Sequence, residues 1–197
     1  MAIAKDRNPI ELFQEWYAEA QKLPLEEPTA MTLATADAQG RPHLRVVLLK
    51  GLDDRGFVFY TNLTSPKADQ LRENPYAALC FHWMPVGRQV RVEGRVEPVT
   101  DAEADAYFVS RPRQSQIAAW ASKQSQPMEG RFVLEKRVAK YALKWAVGNL
   151  PRPEFWSGYR VIPSSIEFWN VRPYRLHDRV LYTRQEDGTW TAQELFP

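Results

Sequence analysis

The chain has 197 residues, of which 44% are apolar and 25% charged, with a formal net charge of +2. That balance suits one soluble globular unit with a genuine core, and it excludes a global field that would draw the chain onto nucleic acid or a membrane. No apolar run approaches the roughly 20 residues of a bilayer span. The opening MAIAKDRNPIELFQ turns polar too soon for a secretory leader. A single cysteine, Cys80, rules out an internal disulfide framework and suits a reducing compartment. The expectation is a cytoplasmic protein whose residues 1–197 form one domain.

In chain order, Asn8 and Pro9 followed by IELFQEWYAEAQK predict a capped helix, with Asn as N-cap and Pro in the first turn. LPLEEPTA is a connector, so residues 1–27 read as an N-terminal helix and linker. The period then changes. AMTLATAD, a turn at Ala38 to Gly40, LRVVLLKGL, a turn at Asp53 to Gly56, and FVFYTNL predict successive strands joined by hairpins. Ser65-Pro66 opens a short helix through Glu73, closed by Asn74-Pro75. YAALCFHWM returns to strand. In RQVRVEGRVEPV, Val90, Val92 and Val96 face one way while Gln89, Arg91, Glu93 and Arg95 face the other.

Thr100 to Glu103 is a capping-box pattern that opens a helix through Phe108. Further helices are predicted from Ser115 to Trp120 and from Pro127 to Ala146, the latter ended by Gly148 and LPRP. GYRVIP, SIEFWN and RLHDRVLYT read as three strands, with a turn at Gln185 to Gly188 leading into TWTAQELF. Short antiparallel strands with helices inserted between them make the fold class α+β, with a barrel or strongly curled sheet.

Several chemistries are poorly supported. No GxGxxG follows a strand and no GxxxxGK[ST] occurs. His43, His82 and His177 are far apart in sequence, so no metal site is expected. The arginines nevertheless gather locally, at Arg111 to Arg113 and Arg172 to Arg179. Clustering without global excess points to small anionic ligands, or to a solvated basic face.

Four stretches carry candidate chemistry. On a flat strand, Arg45 and Lys50 of RVVLLK would lie about 16 Å apart on opposite faces, too far for one anion to bridge. YTNLTSPKADQL runs from a strand into a helix whose first turn holds Ser65 and Lys67, beside free N–H groups suited to phosphate. YFVSRPRQSQIAAWASKQS supplies Tyr107, Arg111, Ser115, Lys123, Gln124 and Ser125, groups that hold phosphate through charge-assisted hydrogen bonds. Tyr107, Arg111 and Ser115 stand at spacing four, although Pro112 opposes a continuous helix. In RLHDR, an extended strand would place Arg175, His177 and Arg179 on one face, a repulsive row unless an electron-rich partner sits among them. Trp169, just upstream, offers a flat surface for a planar ring. An edge strand charged against aggregation would look similar.

Taken together, RVVLLK, FYTN, RQVRVEG, SRPR-S, WASKQS, IEFW and RLHDR resemble the pyridoxine/pyridoxamine 5'-phosphate oxidase family, from about Pro28 to the terminal LFP. The resemblance implies a split-barrel FMN-binding fold and a homodimer with FMN at the subunit interface, residues 163–197 completing the active site and that interface. It implies that Arg45, Val46, Val47, Leu48, Leu49, Lys50, Tyr60, Thr61, Lys67, Gln89, Gln124, Ser125, Trp169 and Arg179 bind FMN. Lys50, Tyr107, Arg111 and Ser115 would hold the substrate phosphate. Arg175, Leu176 and His177 would lie against the pyridine ring, with Arg175 and His177 as the catalytic pair.

The implied reaction oxidises pyridoxamine or pyridoxine 5'-phosphate to pyridoxal 5'-phosphate, as in vitamin B6 biosynthesis or salvage. Hydride goes to the flavin, and dioxygen then yields hydrogen peroxide; the protein contributes orientation and electrostatics. Two departures stand out. Pro66 occupies a place where some members carry a basic residue. Some members also have an N-terminal arm over the substrate, which this sequence does not contain. Alternative readings are a phenazine-type oxidase on the same scaffold, a non-catalytic flavin- or haem-binding split barrel, and, weakest, a nucleic-acid module.

Overall fold

A computed structural model describes residues 3–197. Its centre is a nine-stranded sheet in which all pairings are antiparallel. The strands are β1 (Ala30–Ala36), β2 (Pro42–Leu48), β3 (Gly51–Asp53), β4 (Gly56–Asn62), β5 (Tyr76–Trp83), β6 (Arg88–Pro98), β7 (Trp156–Asn170), β8 (Asp178–Arg184) and β9 (Trp190–Glu194). Their order is β2-β1-β5-β6-β7-β4-β3, with β8 and β9 extending from β7. Five helices flank the sheet: α1 (Pro9–Gln21), α2 (Pro66–Glu73), α3 (Asp101–Ser110), α4 (Arg113–Ala121) and α5 (Val133–Lys144).

The split in the barrel is made by β7. GYRVIP and SIEFWN, expected as two strands, are one strand of 15 residues that pairs with β6 from Tyr159 to Asn170. Its first half also pairs with β4, and its second half with β8. The ladder slips one register between Glu93 and Gly94, opposite Pro163, and a bulge of that kind bends a strand. Gly94 is needed there, because a Cβ would lie 1.9 Å from the Ile162 carbonyl oxygen. LRVVLLKGL shows the converse: the expected single strand breaks at Leu49 and Lys50. The Leu49 N–H goes to Thr29 O on the β1 side, while the Lys50 N–H goes to Val58 O on β4. These two residues are the corner where the chain passes between sheet arms.

The helix α1 closes the barrel. Asn8 accepts from the Ile10 N–H at 2.8 Å, as its capping role requires. Phe13 is fully buried and meets Phe57, Phe81 and Trp83 at centroid distances of 4.9, 4.8 and 5.7 Å. Val90, Val92 and Val96 face this core, as their alternation predicted. The capping box at Thr100 and Glu103 also forms. The expected helix over 127–146 is shorter, Val133–Lys144, and buries none of its residues.

A buried arginine ties the helices to the barrel. Arg160 on β7 bonds Asp53 at 2.6 Å and Glu103 at 2.8 Å. The Thr100 N–H, and then Arg55, hold the Glu103 carboxyl down at about 2. This network sets where α3 starts, and therefore where Tyr107 and Arg111 end up.

Candidate functional site

A cleft of about 320 Å³ opens where the end of β4, the β2–β3 corner and helices α3 and α4 meet. It is lined by Leu48, Lys50, Tyr60, Thr61, Tyr107, Arg111 and Gln124, all expected from the sequence, and by Asn62, Ala118, Ala119, Ser122 and Trp156, which were not. Trp156 organises one wall. Tyr60 stacks on Trp156 at 5.2 Å and on Tyr107 at 4.0 Å, with interplanar angles of 6° and 17°. Nothing local in LPRPEFW marks Trp156, because its partners come from β4 and α3.

Arg111 stands at the end of this stack, its guanidinium 4.8 Å from the Trp156 ring centre. The helix breaks here: α3 ends at Ser110, Arg111 and Pro112 are extended, and α4 starts at Arg113. The expected single face of Tyr107, Arg111 and Ser115 is therefore replaced by a corner, with Ser115 in the first turn of α4 and outside the residues lining the cleft. Proline's restriction of the preceding residue is the physical reason. Burial pushes the Arg111 guanidinium below its ordinary pKa, and its Nη1 is buried without a hydrogen-bond partner. Such a donor costs about 1–3 kcal/mol, more when charged, unless an acceptor arrives.

The other corner lies at the start of α2. Lys67 is only 7% exposed, yet its Nζ has only neutral partners: Gln124 Oε1 at 2.9 Å, Thr61 Oγ1 at 3.1 Å and Ser65 Oγ at 3.2 Å. Burial first, and then the charge of Arg45, lowers it to about 8. One turn along α2, Gln70 accepts from Arg45 Nη2 at 2.9 Å and from Thr35 Oγ1 at 2.6 Å. Thr35 in turn accepts from Arg45 Nη1 at 2.6 Å. The helix thus brings Arg45 and Lys67 to one place. Thr35 and Gln70, both buried, were missed because they act only through Arg45.

Carboxylates separate structural cations from free ones. Arg152 is paired with Asp101 and Asp105, and Arg160 with Asp53 and Glu103. Among the described residues, Arg45, Lys50, Lys67 and Arg111 have no carboxylate within ion-pair distance. Of these, Lys67 is buried on neutral oxygens, Arg45 and Arg111 are half-buried and Lys50 is exposed; burying a cation without a counter-charge is costly. Two phosphate groups, one per corner, fit them chemically.

The remaining expected residues form a different group. Gln89, Trp169 and Arg179 lie opposite one another on β6, β7 and β8. His177 packs on Trp169 at 4.5 Å, and its Nδ1 accepts the Arg172 N–H at 3.2 Å. The strand predicted through RLHDR does not form: Pro173–Arg175 is a 3-10 turn, and β8 starts only at Asp178. Tyr174 and Arg175 have φ of 59° and 62°, so Arg175, His177 and Arg179 do not share a strand face. Proline at the turn start and an Arg172–Asp178 ion pair of 2.7 Å favour the turn over the strand. Arg175 and Leu176 are exposed. Ser125 adopts φ 64° beside Gln124. Val47 packs on the core and Leu49 is buried, whereas Leu44 and Val46 on edge strand β2 are 69% and 65% exposed.

A single chain does not join these two groups. Tyr60 pairs with Gly158 near the start of β7, while Trp169 sits at its end. Eleven residues of strand separate them by about 35 Å of contour.

Fold and site together define a split-barrel protein with an aromatic cleft and two cationic corners suited to phosphorylated ligands. The family model described as pyridoxamine 5'-phosphate oxidase matches residues 17–145, and that described as pyridoxine 5'-phosphate oxidase C-terminal dimerisation region matches 156–197. The chain belongs to the pyridoxamine 5'-phosphate oxidase family. It is 56% identical to proteins named pyridoxine/pyridoxamine 5'-phosphate oxidase from Chelativorans sp. (96% of this chain, 91% of the relative) and Rhodospirillum rubrum (100% of each). The solved structure of PhzG from Burkholderia lata, in complex with tetrahydrophenazine-1-carboxylic acid, matches with a TM-score of 0.91 and 35% identity, over 96% of this chain and 93% of that one. An FMN binding protein from Nostoc punctiforme shares the fold, with a TM-score of 0.78 at 17% identity over the full length of both chains.

Proposed function

We propose that this protein oxidises pyridoxamine or pyridoxine 5'-phosphate to pyridoxal 5'-phosphate, with FMN as hydride acceptor and dioxygen as final oxidant. The observation that carries this reading is a pair of cationic corners without carboxylates, Arg111 at the aromatic cleft and Arg45 with Lys67 behind the Thr61 and Gln124 that line it. One enzyme holding a phosphorylated cofactor and a phosphorylated substrate needs two such places. Relatives 56% identical over nearly the whole chain support the same substrate.

FMN, when bound, supplies the two-electron acceptor. Arg45 and Lys67 hold its phosphate without the basic residue that Pro66 displaces. Thr61, Gln124 and Ser125, with Val46 to Lys50 and Tyr60, complete one side of that site. Gln89, Trp169 and Arg179 serve from the other. Arg111, Tyr107, Lys50 and Ser115 take the substrate phosphate, Arg111 Nη1 gaining its missing acceptor. Arg175 stabilises charge that develops on the substrate, Leu176 packs against the ring, and His177 positions it.

The two groups meet only if a second copy supplies one of them, so the FMN sites lie between subunits of a homodimer. The exposed Leu44 and Val46, the dimerisation-region match over 156–197 and the length of β7 all support that arrangement. On this reading residues 1–197 are one FMN-binding unit, with 163–197 completing the active site and the dimer interface. A lone cysteine and the absence, among the described residues, of any helix long and apolar enough to cross a membrane support a cytoplasmic setting.

The test is to purify the protein, look for bound flavin, and add pyridoxine 5'-phosphate under air. Aldehyde and peroxide appearing in equal amounts is the expected result. Bound flavin with no turnover would favour a carrier. Turnover of a carboxylated tricyclic substrate in preference would favour the phenazine-type reading that the Burkholderia neighbour raises.

FMN affinity should also depend on pH through Lys67. In the free protein this amine loses its proton as pH rises through about 8, and a bound phosphate dianion raises that value again. A group whose pKa rises on binding contributes affinity that is complete below its free pKa and lost above it. Affinity should therefore be level up to about pH 7, begin to fall on the approach to pH 8, and drop beyond it by up to about tenfold per pH unit. Fluorescence titration of apoprotein with FMN reads this directly. A level curve through pH 9.5 would remove Lys67 from the phosphate site.

A further inference from the structure

IEFW and RQVRVEG contain two charged residues that have no role so far, Glu167 and Arg91. They stand directly opposite each other on β7 and β6. The Glu167 side chain is only 4% exposed. A buried carboxylate is costly unless paired, and Glu167 has two partners where one would neutralise it. Its Oε2 accepts from Arg91 Nη2, and its Oε1 accepts from Arg179 Nε at 2.8 Å. Arg179 comes from β8, where its direct cross-strand neighbour is Trp169.

The second partner gains orientation from this contact. Nη1 of Arg179 donates to the Phe196 carbonyl oxygen at 2.9 Å. With Nε and Nη1 both anchored, the guanidinium plane is set, and Nη2 has no protein partner among the described residues, on a strand position whose cross-strand neighbours are Trp169 and, beyond it, Gln89. A planar fork held at two points keeps its third nitrogen in place at little further entropic cost. Arg91, by contrast, is nearly half exposed and reaches Glu167 from the solvent side.

We propose that Glu167 is a positioning residue of the cofactor site: it fixes Arg179 for FMN without touching FMN itself. This rests on the assignment of Arg179 to FMN made above.

The experiment measures FMN dissociation constants of the apoprotein by flavin fluorescence, with apoprotein unfolding midpoints alongside. Glu167→Gln should weaken FMN about tenfold. Arg91→Gln breaks the other half of the same cluster but leaves Arg179 anchored, so FMN affinity should stay within about twofold, even where both variants lower the unfolding midpoint. In an Arg179→Ala background, Glu167→Gln should weaken FMN no further. Should Glu167→Gln fail to fold, Glu167→Asp keeps the charge but withdraws the carboxylate, and should cost about threefold. An unchanged constant for Glu167→Gln, an equal loss for Arg91→Gln, or multiplying losses in the double variant would each overturn the proposal while Arg179 kept its role. Arg179→Ala without effect on FMN, or wild-type protein that binds no flavin, would remove the underlying assignment and the proposal with it.

Discussion

Replacing Arg111 with methionine should cut kcat/KM for a phosphorylated pyridine substrate by about a hundred- to a thousandfold, and leave the free protein no less stable. The first half follows from what Arg111 faces. Its guanidinium is half-buried against Trp156 and Phe108, has no carboxylate, and leaves Nη1 without an acceptor. Truncating a buried charge that a ligand pairs with costs about 2–5 kcal/mol. The second half follows from the same facts in the opposite direction. An unpaired buried cation destabilises the free protein, and an apolar side chain of similar length removes that penalty. The lost cation–π contacts return about 1 kcal/mol or so of it. Kinetics with phosphorylated and dephosphorylated substrate, together with urea midpoints of the apoprotein, check both halves. Equal losses on the two substrates would detach Arg111 from the phosphate.

The second large effect is expected at Arg175. Arg175→Ala should lower kcat by about a hundred- to a thousandfold, the range for removing one preorganised donor to developing charge. The flavin-to-protein ratio should be unchanged. Arg175 is exposed and, among the described residues, makes no ion pair or hydrogen bond, so it contributes little to its own chain's stability. Its backbone says otherwise about function. Two consecutive non-glycine residues in the left-handed region, Tyr174 and Arg175, cost about 1–2 kcal/mol each. The Arg172–Asp178 ion pair and the Arg172 N–H to His177 bond hold that turn in place. Strain maintained to present an unpartnered cation is a mark of a working site. Arg175→Gly relaxes the backbone and removes the cation, so it should be as slow as Arg175→Ala yet more stable. Flavin lost in step with activity would show that Arg175 belongs to the cofactor instead.

Much of both the fold and the site was legible in the residues themselves, wherever the governing interaction spans a few positions. Asn8 and the Thr100–Glu103 box cap their helices because those contacts lie within three residues. The alternation of Val90, Val92 and Val96 against Gln89, Arg91 and Glu93 set one face of β6 because a strand has period two. The cleft residues Lys50, Tyr60, Thr61, Tyr107, Arg111 and Gln124 were nameable through the motifs that carry the family resemblance.

What remained was decided by partners distant in sequence. RLHDR alternates like a strand, but Pro173 and the Arg172–Asp178 pair turn it. Leu49 and Lys50 read as mid-strand, yet they bridge two sheet arms because their N–H groups belong to Thr29 and Val58. The continuity of β7 comes from pairing with β6, β4 and β8, and its bend from the approach of Gly94 to Ile162. Trp156, Thr35 and Gln70 carry no local signal, since each acts on a residue from another element. The amino-acid order determined by itself which groups are available and which short segments they stiffen. Only the tertiary structure decided which cations lose their carboxylates, because burial and charge pairing depend on chain segments that meet through the sheet.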